Sequence, residues 1–483
     1  MVSLTAEPRV RTAAIANLGC KVNQAEMEAA ARRLRELGIS VVDGDRAADL
    51  VLVNTCTVTS EADAKSRHAV RRARRASPDA PIVVTGCSVQ VNREAFRAAD
   101  PAASLVDNRS KDALLTELER LLGRPSAPDS EVPGRPARAL PTLSGVEIEG
   151  IADERASVER TRAFVKVQDG CSFFCTYCII PTARGAERSL APDVVLADVR
   201  RALAAGHREV VLTGINIGTY DGGSSERGFR GAHTRSALTL AGLVRRILDE
   251  TAVERLRISS IEPQHLDDEL VDVWAGGAPR TLPHIHLPLQ SGDDGVLRRM
   301  GRRYGTVEYA ATVARVRAAL PGVAVHADAI VGFPTEDEPA WQRSVAFIRA
   351  LRPAGLHVFR YSARPGTPAT RMVGQVDEAT KKRRAAELLQ LAADARASWA
   401  RGRVGTVARV LLEERVGDGR WIGRAEDYTL VAGDVADRAR RADSLENAIA
   451  TVRIEDVDAG REDRVVGRVV ALSPSREPAA AAR

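Results

Sequence analysis

The sequence predicts an α/β protein in three parts: a doubly wound α/β domain, then a partial (β/α) barrel, then a small β-barrel. Three observations carry this. Apolar strands alternate with amphipathic helices over the first 120 residues, which implies right-handed crossovers and a parallel sheet. The alternation resumes over 163–357, after a break rich in Pro, Gly and Ser. The C-terminal stretch changes to short alternating segments without helical spacing.

Each element follows in order. AAIANLGC (13–20) reads as a strand ending at Cys20. In NQAEMEAAARRLRELG (23–38), Met27, Ala30, Leu34 and Leu37 share a helix side and Gly38 is the expected C-cap. DLVLVNTC (49–56) and PIVVTGC (81–87) are further buried strands, and the N-terminal domain spans 11–122. Residues 123–156 read as a linker. Six strands are expected at 163–169, 209–215, 255–261, 284–290, 323–333 and 355–362, making a barrel domain of 157–388 whose chemistry sits at the strand C-termini. A charged helix near 379–402 leads into an OB-like barrel over 391–472, with strands at 404–414, 427–433, 450–457 and 463–472. Residues 473–483 read as a disordered tail.

Composition narrows the function. The 483 residues can bury a large core, and 70 Lys and Arg against 64 Asp and Glu leave a net charge of +6, which permits a nucleic-acid partner. Aromatics at 4% argue against binding mainly by stacked rings. No apolar run approaches the roughly 18 residues that span a bilayer, so no membrane partner is expected. The N-terminal residues lack the pattern of a secretory signal, so a cytoplasmic, reducing location is expected. Six cysteines fall into two groups of three, which is not how a disulfide framework distributes them.

The strongest motif is Cys171-Ser-Phe-Phe-Cys175-Thr-Tyr-Cys178, a CxxxCxxC after a predicted strand. Three thiolates this close can hold one metal centre. A structural zinc site closes with four ligands, and no fourth Cys or His stands nearby. Three cysteines on a 4Fe–4S cluster leave one iron open for a substrate. A zinc site completed by a distant His, or three unconnected thiols, are the plainer alternatives. Phe174 and Tyr177 flank the ligands, where they either screen a cluster from water or simply pack. Cys20, Cys56 and Cys87 are remote in sequence, yet each ends a predicted parallel strand. Such ends share one sheet edge, where ligands bind. They converge as a second three-ligand site, or else are three buried apolar-like cysteines.

The CxxxCxxC loop resembles the hallmark of the radical S-adenosylmethionine superfamily. Two triads in this order resemble its methylthiotransferase family, with an N-terminal methylthiotransferase domain, a radical core and a C-terminal TRAM barrel. LGCKVNQAE (18–26), NTCTVTSEADAKSR (54–67), CTYCIIPTARGAERS (175–189), RISSIEP (257–263), HLPLQSGDDGVLRRMGRRY (286–304) and YSARPGTPA (361–369) resemble the branch acting on N(6)-threonylcarbamoyladenosine in tRNA. The isopentenyladenosine and ribosomal-protein branches, and a non-catalytic iron–sulfur or zinc RNA-binding protein, are the alternatives. Thr182, where an aromatic residue is common, and Asp293, where Ser is usual, depart from the branch pattern.

The resemblance implies two 4Fe–4S clusters, one on Cys171, Cys175 and Cys178 and an auxiliary one on Cys20, Cys56 and Cys87. It implies S-adenosylmethionine as both methyl donor and radical source. The substrate would be adenosine 37 of tRNAs reading ANN codons, with tRNA rather than DNA as partner. An electron donor such as flavodoxin or ferredoxin and a sulfur source would complete the set. At the barrel edge, Thr213, Gly214 and Asn216 stand where the superfamily approaches the methionine group. Ser260, Glu262, Gln290 and Asp328 lie at other strand ends and could meet ribose or base, or merely shape turns. Ser291 and the Gly332-Phe333-Pro334 turn lie there too. His284 and His286 alternate on one strand and read as hydrogen-bonded pocket residues.

Basic segments suggest an RNA path. Arg67, Arg71 and Arg74 recur at helical spacing, and Arg298, Arg299, Arg302 and Arg303 form a second cluster. Either is a solvated face or a phosphate track. Residues 401–470 hold 13 Arg against 14 acidic residues, so RNA binding there rests on the resemblance and on a local patch near Arg424 and Tyr428.

Overall fold

The computed structural model describes residues 10–108, 112–122, 161–223, 238–417, 419–435 and 444–473. The linker expected at 123–156 and the tail beyond Ser473 lie outside them. Among the described residues, no helix is long and apolar enough to cross a membrane.

The N-terminal sheet has five parallel strands, β1 (Thr12–Asn17), β2 (Ser40–Asp43), β3 (Leu50–Thr55), β4 (Ile82–Gly86) and β5 (Ser104–Val106), in the order β2-β1-β3-β4-β5. Period-2 alternation splits each buried strand between two cores. Ala13, Ile15, Leu50 and Leu52 pack with Met27 and Leu34 of the helix Lys21–Glu36 and with Leu114 and Leu118 of the helix Asp112–Leu121. Ala14, Val51 and Val53 pack on the other side with Ala69, Val70 and Ala73 of the helix Ser60–Ala76. The domain is therefore doubly wound, as expected. The edge strands β2 and β5 escape the sequence reading because SVVD is partly exposed and SLV is too short to show a period.

In the centre, β6 (Arg162–Lys166) continues into β7 (Gln168–Asp169), which pairs with β8 (Arg188–Ser189) in a small antiparallel ladder. β9 (Glu209–Thr213) and β10 (Arg255–Ile258) join β6 in one parallel sheet. β11 (His284–His286), β12 (Ala324–Val331) and β13 (Gly355–Arg360) form a second. Backbone bonds from Leu256 N–H to the Arg280 carbonyl (2.7 Å), Leu282 N–H to the Leu256 carbonyl (3.0 Å) and Ile261 N–H to the His286 carbonyl (3.0 Å) stitch β10 to the β11 side. The result is an open six-stranded wall. Its convex residues, such as Val165, Leu212, Ile285 and Ala327, pack under the covering helices. By alternation, Phe164, Val211, Arg257, His284, His286, His326, Asp328 and His357 face the concave side.

The last five strands, β14 (Val407–Arg415), β15 (Trp421–Arg424), β16 (Leu430–Asp434), β17 (Ile449–Asp458) and β18 (Arg461–Ser473), close into a barrel in the order β14-β15-β16-β18-β17. The boundary expected at 388–391 falls inside one unbroken helix, Glu378–Arg401. Leu388 and Ala392 belong to the central core and Ala400 to the core of the small barrel, so this helix serves both domains.

The small barrel plugs the floor of the large one. Glu209, fully buried, pairs with Arg255 (2.7 Å) and Arg257 (2.9 Å). The two guanidiniums also donate to the carbonyls of Arg409, Arg424 and Glu426. Tyr428 is buried against the His284 ring (4.4 Å between centroids) and under Arg257 and Arg424. The patch proposed for RNA at Arg424 and Tyr428 is thus a domain interface, because the ring is spent on cation–π and stacking contacts. His284 also departs from expectation: both ring nitrogens are buried without a hydrogen-bond partner among the described residues.

Burial opposes the Glu209 charge, but Arg257, Arg255 and Arg162 hold its carboxyl down at about 2, against 4.5 ordinarily. The pairing therefore stabilises fully above pH 4.5, and that stabilisation drains away as pH falls towards 2. Glu209→Gln should cost about 3–5 kcal/mol by leaving buried guanidiniums without their charge partner. It should also flatten the acid limb of the stability profile, as read by melting temperature between pH 7 and pH 3.

Candidate active site with two metal centres

The loop after β7 carries the CxxxCxxC. Gly170 has φ 71°, and a Cβ there would lie 2.0 Å from the Ala186 carbonyl oxygen, so the turn before Cys171 requires glycine. Cys171 N–H donates to the Gly185 carbonyl (3.1 Å) and Cys178 N–H to the Cys175 carbonyl (2.9 Å). Thr176 is tied on both sides. Its N–H donates to Met300 (2.9 Å), its hydroxyl to Arg299 (2.7 Å), and its carbonyl accepts from Ala369 N–H (2.9 Å). Burial pushes the Cys171 thiol up to about 11 and Cys178 up to about 12, and neighbouring thiols of the same motif push further. A bound cation reverses that preference and draws the protons off.

The second triad converges as its strand-end positions predict. Cys20 is the N-cap of Lys21–Glu36, Cys56 follows β3, and Cys87 opens the short helix Cys87–Val91. Gly86, with φ 103°, would drive a Cβ to 2.4 Å from the Thr55 carbonyl oxygen, so the close β3–β4 approach before Cys87 needs glycine. Ser66 clamps Cys56 by accepting from its N–H (3.1 Å) and donating to its carbonyl (3.2 Å). Asn23 Oδ1 lies 3.9 Å from Cys20 Sγ and 4.0 Å from Cys87 Sγ. Burial raises the Cys20 thiol and pushes Cys56 up to about 12. Cys87 adds to both, while Arg184 pulls both down. Either triad could hold a cluster, since each gathers soft sulfur donors with no fourth protein thiol.

A buried ionic joint binds the two sites together. Arg184 ends the helix Ile180–Arg184, just beyond Cys178. Its Nη1 meets Asp169 (2.9 Å) and Glu26 (3.1 Å), and its Nη2 donates to Asn23 Oδ1. Lys166 bonds Glu26 and Asp169 at 2.8 Å each. Arg184 Nε is buried with no partner among the described residues. Sequence reasoning missed this joint. The available signal was a lone Arg in the otherwise apolar turn IIPTAR beside the motif.

Of the barrel-edge residues, Asn216 stands beside Cys171. Asn216 Nδ2 lies 3.9 Å from its sulfur. Asn216 Oδ1, Thr213 Oγ1 and Ser259 Oγ are buried without a partner among the described residues, which suits a polar ligand such as the methionine and ribose of S-adenosylmethionine. Gly214 makes room for Gln168, whose side chain accepts from Asn216 N–H (2.8 Å). Ser260 is half-buried beside Ser259. Glu262 pairs with Arg302, whose Nη1 lies 3.6 Å from Cys175 Sγ; burial raises the Glu262 carboxyl. Gln290 adopts φ 72° and bridges the β12 backbone at Asp328 and Ile330. Asp328 Oδ1 holds His286 Nε2 (2.7 Å) and His357 Nδ1 (2.9 Å). These two keep its carboxyl well below the usual range despite burial.

Residues 12–107 match the uncharacterized protein family UPF0004, and residues 165–357 match the radical SAM superfamily. The chain is 36% identical over 403 residues to the threonylcarbamoyladenosine tRNA methylthiotransferase MtaB of Bacillus subtilis, covering 83% of this chain and 85% of that protein. It is 32% identical over 465 residues to the protein of the same name from Thermotoga maritima, covering 96% and 100%. It is 33% identical over 408 residues to the tRNA-2-methylthio-N(6)-dimethylallyladenosine synthase of Maricaulis maris, covering 83% and 86%. The chain belongs to the methylthiotransferase family of radical S-adenosylmethionine enzymes. The fold agrees: the radical S-adenosylmethionine methyltransferase TsrM from Kitasatospora setae, solved with cobalamin and a 4Fe–4S cluster, superposes with TM-score 0.51 at 15% identity over 74% of this chain and 77% of that one. The cofactors of this methylthiotransferase are 4Fe–4S clusters, two as is typical of the family, and S-adenosylmethionine.

Several expected features of the methylthiotransferase are placed differently. Arg74 is spent on Asp100 (2.9 Å) and the carbonyls of Pro78 and Ala80, and Arg67 on Asp63 (3.2 Å). Of the three, Arg71 is exposed. Arg74 thus caps the turn that follows the helix and Arg67 pairs within the helix, which leaves Arg71 as the exposed member of the expected track. Arg302 is buried on Glu262, whereas Arg298, Arg299 and Arg303 are exposed, Arg303 lying over the Phe173 ring at 4.2 Å. Tyr177 packs on Phe333 beside the cysteines, whereas Phe174 is 46% exposed and screens little.

Arg184→Gln strips one partner each from Glu26, Asp169 and Asn23. Iron bound by the Cys20, Cys56 and Cys87 set is expected to fall while the CxxxCxxC set keeps its iron, read by Mössbauer and EPR spectra of reconstituted protein. An unchanged iron content at both sets would contradict a role for the joint.

Proposed function

We propose that the chain transfers a methylthio group to carbon 2 of N(6)-threonylcarbamoyladenosine at position 37 of tRNAs reading ANN codons. One observation carries the reading: two three-cysteine sites, far apart in sequence, are tied together by Arg184, which stands just beyond Cys178 and donates to the Asn23 oxygen beside Cys20 and Cys87. The relatives named MtaB supply the substrate class.

The chemistry explains the parts. Carbon 2 of adenine carries an unactivated C–H bond, which no side-chain base removes near neutral pH. When bound, the cluster pair with S-adenosylmethionine supplies a carbon-centred radical, a methyl group and sulfur. The chain's own residues position and enclose. Cys171, Cys175 and Cys178 would hold the radical cluster, and Cys20, Cys56 and Cys87 the auxiliary one. Thr213, Asn216 and Ser259 offer buried polar atoms to S-adenosylmethionine. Helix Lys21–Glu36 lies over the concave wall and keeps water from the interior, with Ala25 packed on Phe164 and Val211. A flavodoxin- or ferredoxin-like electron donor and a sulfur source act in the same proposal, and a tRNA substrate puts the work in the cytoplasm. The relative from Maricaulis maris favours a second reading, an isopentenyl-type substrate.

Reconstituted protein, reductant, S-adenosylmethionine and tRNA, followed by nucleoside mass spectrometry, tests the substrate. Cys175→Ala should abolish 5′-deoxyadenosine formation. The Cys20, Cys56, Cys87 triple Ala variant should keep it and yield no methylthio product. Methylthiolated isopentenyladenosine alone would overturn the first reading in favour of the second.

A further inference from the structure

Three side chains that the cysteine chemistry does not use converge on the concave wall. His286 stands on β11, Asp328 on β12 and His357 on β13, three neighbouring strands of one parallel sheet. In the register His286 lies opposite His326, and His357 lies opposite Asp328. Asp328 is two residues beyond His326, so alternation puts all three on the same face. Their donor atoms lie within 4.8 Å of one another, and no cysteine belongs to the group.

The backbone that carries them is fixed. Leu287 N–H donates to the His326 carbonyl (2.8 Å), and the Leu289 and Gln290 N–H groups both donate to the Asp328 carbonyl (3.2 and 2.8 Å). A Cβ at Gly355 would fall 3.0 Å from the His326 ring, so the wall beside the group is closely filled. Side chains held on strands keep their geometry better than those on loops. They stay reachable from the interior: the side chains of His286 and Asp328 are each 15% exposed and that of His357 is 26% exposed.

The distances suit a shared cation. Asp328 Oδ1 lies 2.7 Å from His286 Nε2 and 2.9 Å from His357 Nδ1. Both rings thus address one oxygen. As hydrogen bonds, this requires each ring to present an N–H to it. As a coordination site, it requires two ring lone pairs and a carboxylate around one ion. For an ion about 2.1 Å from each donor, such separations subtend roughly 80–90°, close to the angles of an octahedral face. Two imidazoles and one carboxylate on such a face suit a divalent first-row ion and leave positions for water or a substrate oxygen.

We propose that His286, Asp328 and His357 bind one divalent first-row transition-metal ion, separate from the iron of the cysteine sets. The ion faces the barrel interior. The proposal stands whichever nucleoside is methylthiolated, because its test reads binding and not transfer.

The experiment uses untagged full-length protein with both cysteine sets loaded with iron and sulfide, freed of loose metal by gel filtration. Co2+ is the probe. Equilibrium dialysis should show saturable binding of one Co2+ per chain. X-ray absorption at the cobalt edge, which the iron does not obscure, should show nitrogen and oxygen donors with imidazole scattering and no sulfur. Asp328→Asn and His357→Gln should each weaken Co2+ binding at least about tenfold, since even an outer partner of a metal ligand is worth that much. Iron content and circular dichroism of each variant confirm the fold. Should Asp328→Asn lose iron or structure, His286→Gln and His357→Gln carry the comparison. No saturable binding to the wild type, sulfur donors around the cobalt, or wild-type affinity in the folded variants overturns the proposal and leaves a purely hydrogen-bonded cluster.

Discussion

The structure depends on one buried ionic joint. Arg184 and Lys166 of the barrel meet Glu26 of the N-terminal domain, with Asp169 closing the set. Charges inside a protein repay their desolvation only when each is paired well. Sliding one domain over the other would strand several at once, so the arrangement is discrete. The joint also sits close to both cysteine sets along the chain. Glu26 stands about 1.7 helical turns after Cys20, and Arg184 one short helix after Cys178. Rigid elements therefore carry the geometry of the joint to the two cysteine sets.

Two further contacts complete the enclosure. The barrel wall ends at β6 on one side and β13 on the other, and these edges do not pair among the described residues. The N-terminal domain touches both margins: Glu26 reaches Lys166 at β6, and beyond β13 Arg364 bonds Thr57 (2.5 Å) and Asp63 (3.5 Å). The small barrel seals the floor through Arg255, Arg257 and Tyr428. A polar interior lined by His286, Asp328 and His357 remains between them. Enclosure of this kind serves radical chemistry, because a reactive carbon radical must meet its substrate before anything else.

What was legible in the sequence was what has a period or a spacing. Six barrel strands and the three buried strands of the first domain show apolar runs, and Cys20, Cys56 and Cys87 could be brought together by strand-end topology alone. What was not legible depends on partners far apart in the chain. Arg74 resembles any solvated arginine until Asp100 is seen beside it. Tyr428 reads as an exposed aromatic until His284 and Arg257 cover it. β15, the short strand WIGR, hides between turns because four residues show too little alternation. Arg184 stands within a recognisable motif, yet nothing local says that its side chain crosses to another domain.

The central claim is that the two cysteine sets hold two clusters facing one interior. The most direct measurement is EPR of the fully reconstituted, reduced protein, which follows spin relaxation of each cluster in the presence and absence of the other. Mutual relaxation enhancement that vanishes when Cys20, Cys56 and Cys87 are replaced is the expected result. Two clusters that relax independently, or one cluster only in the wild type, would contradict the account.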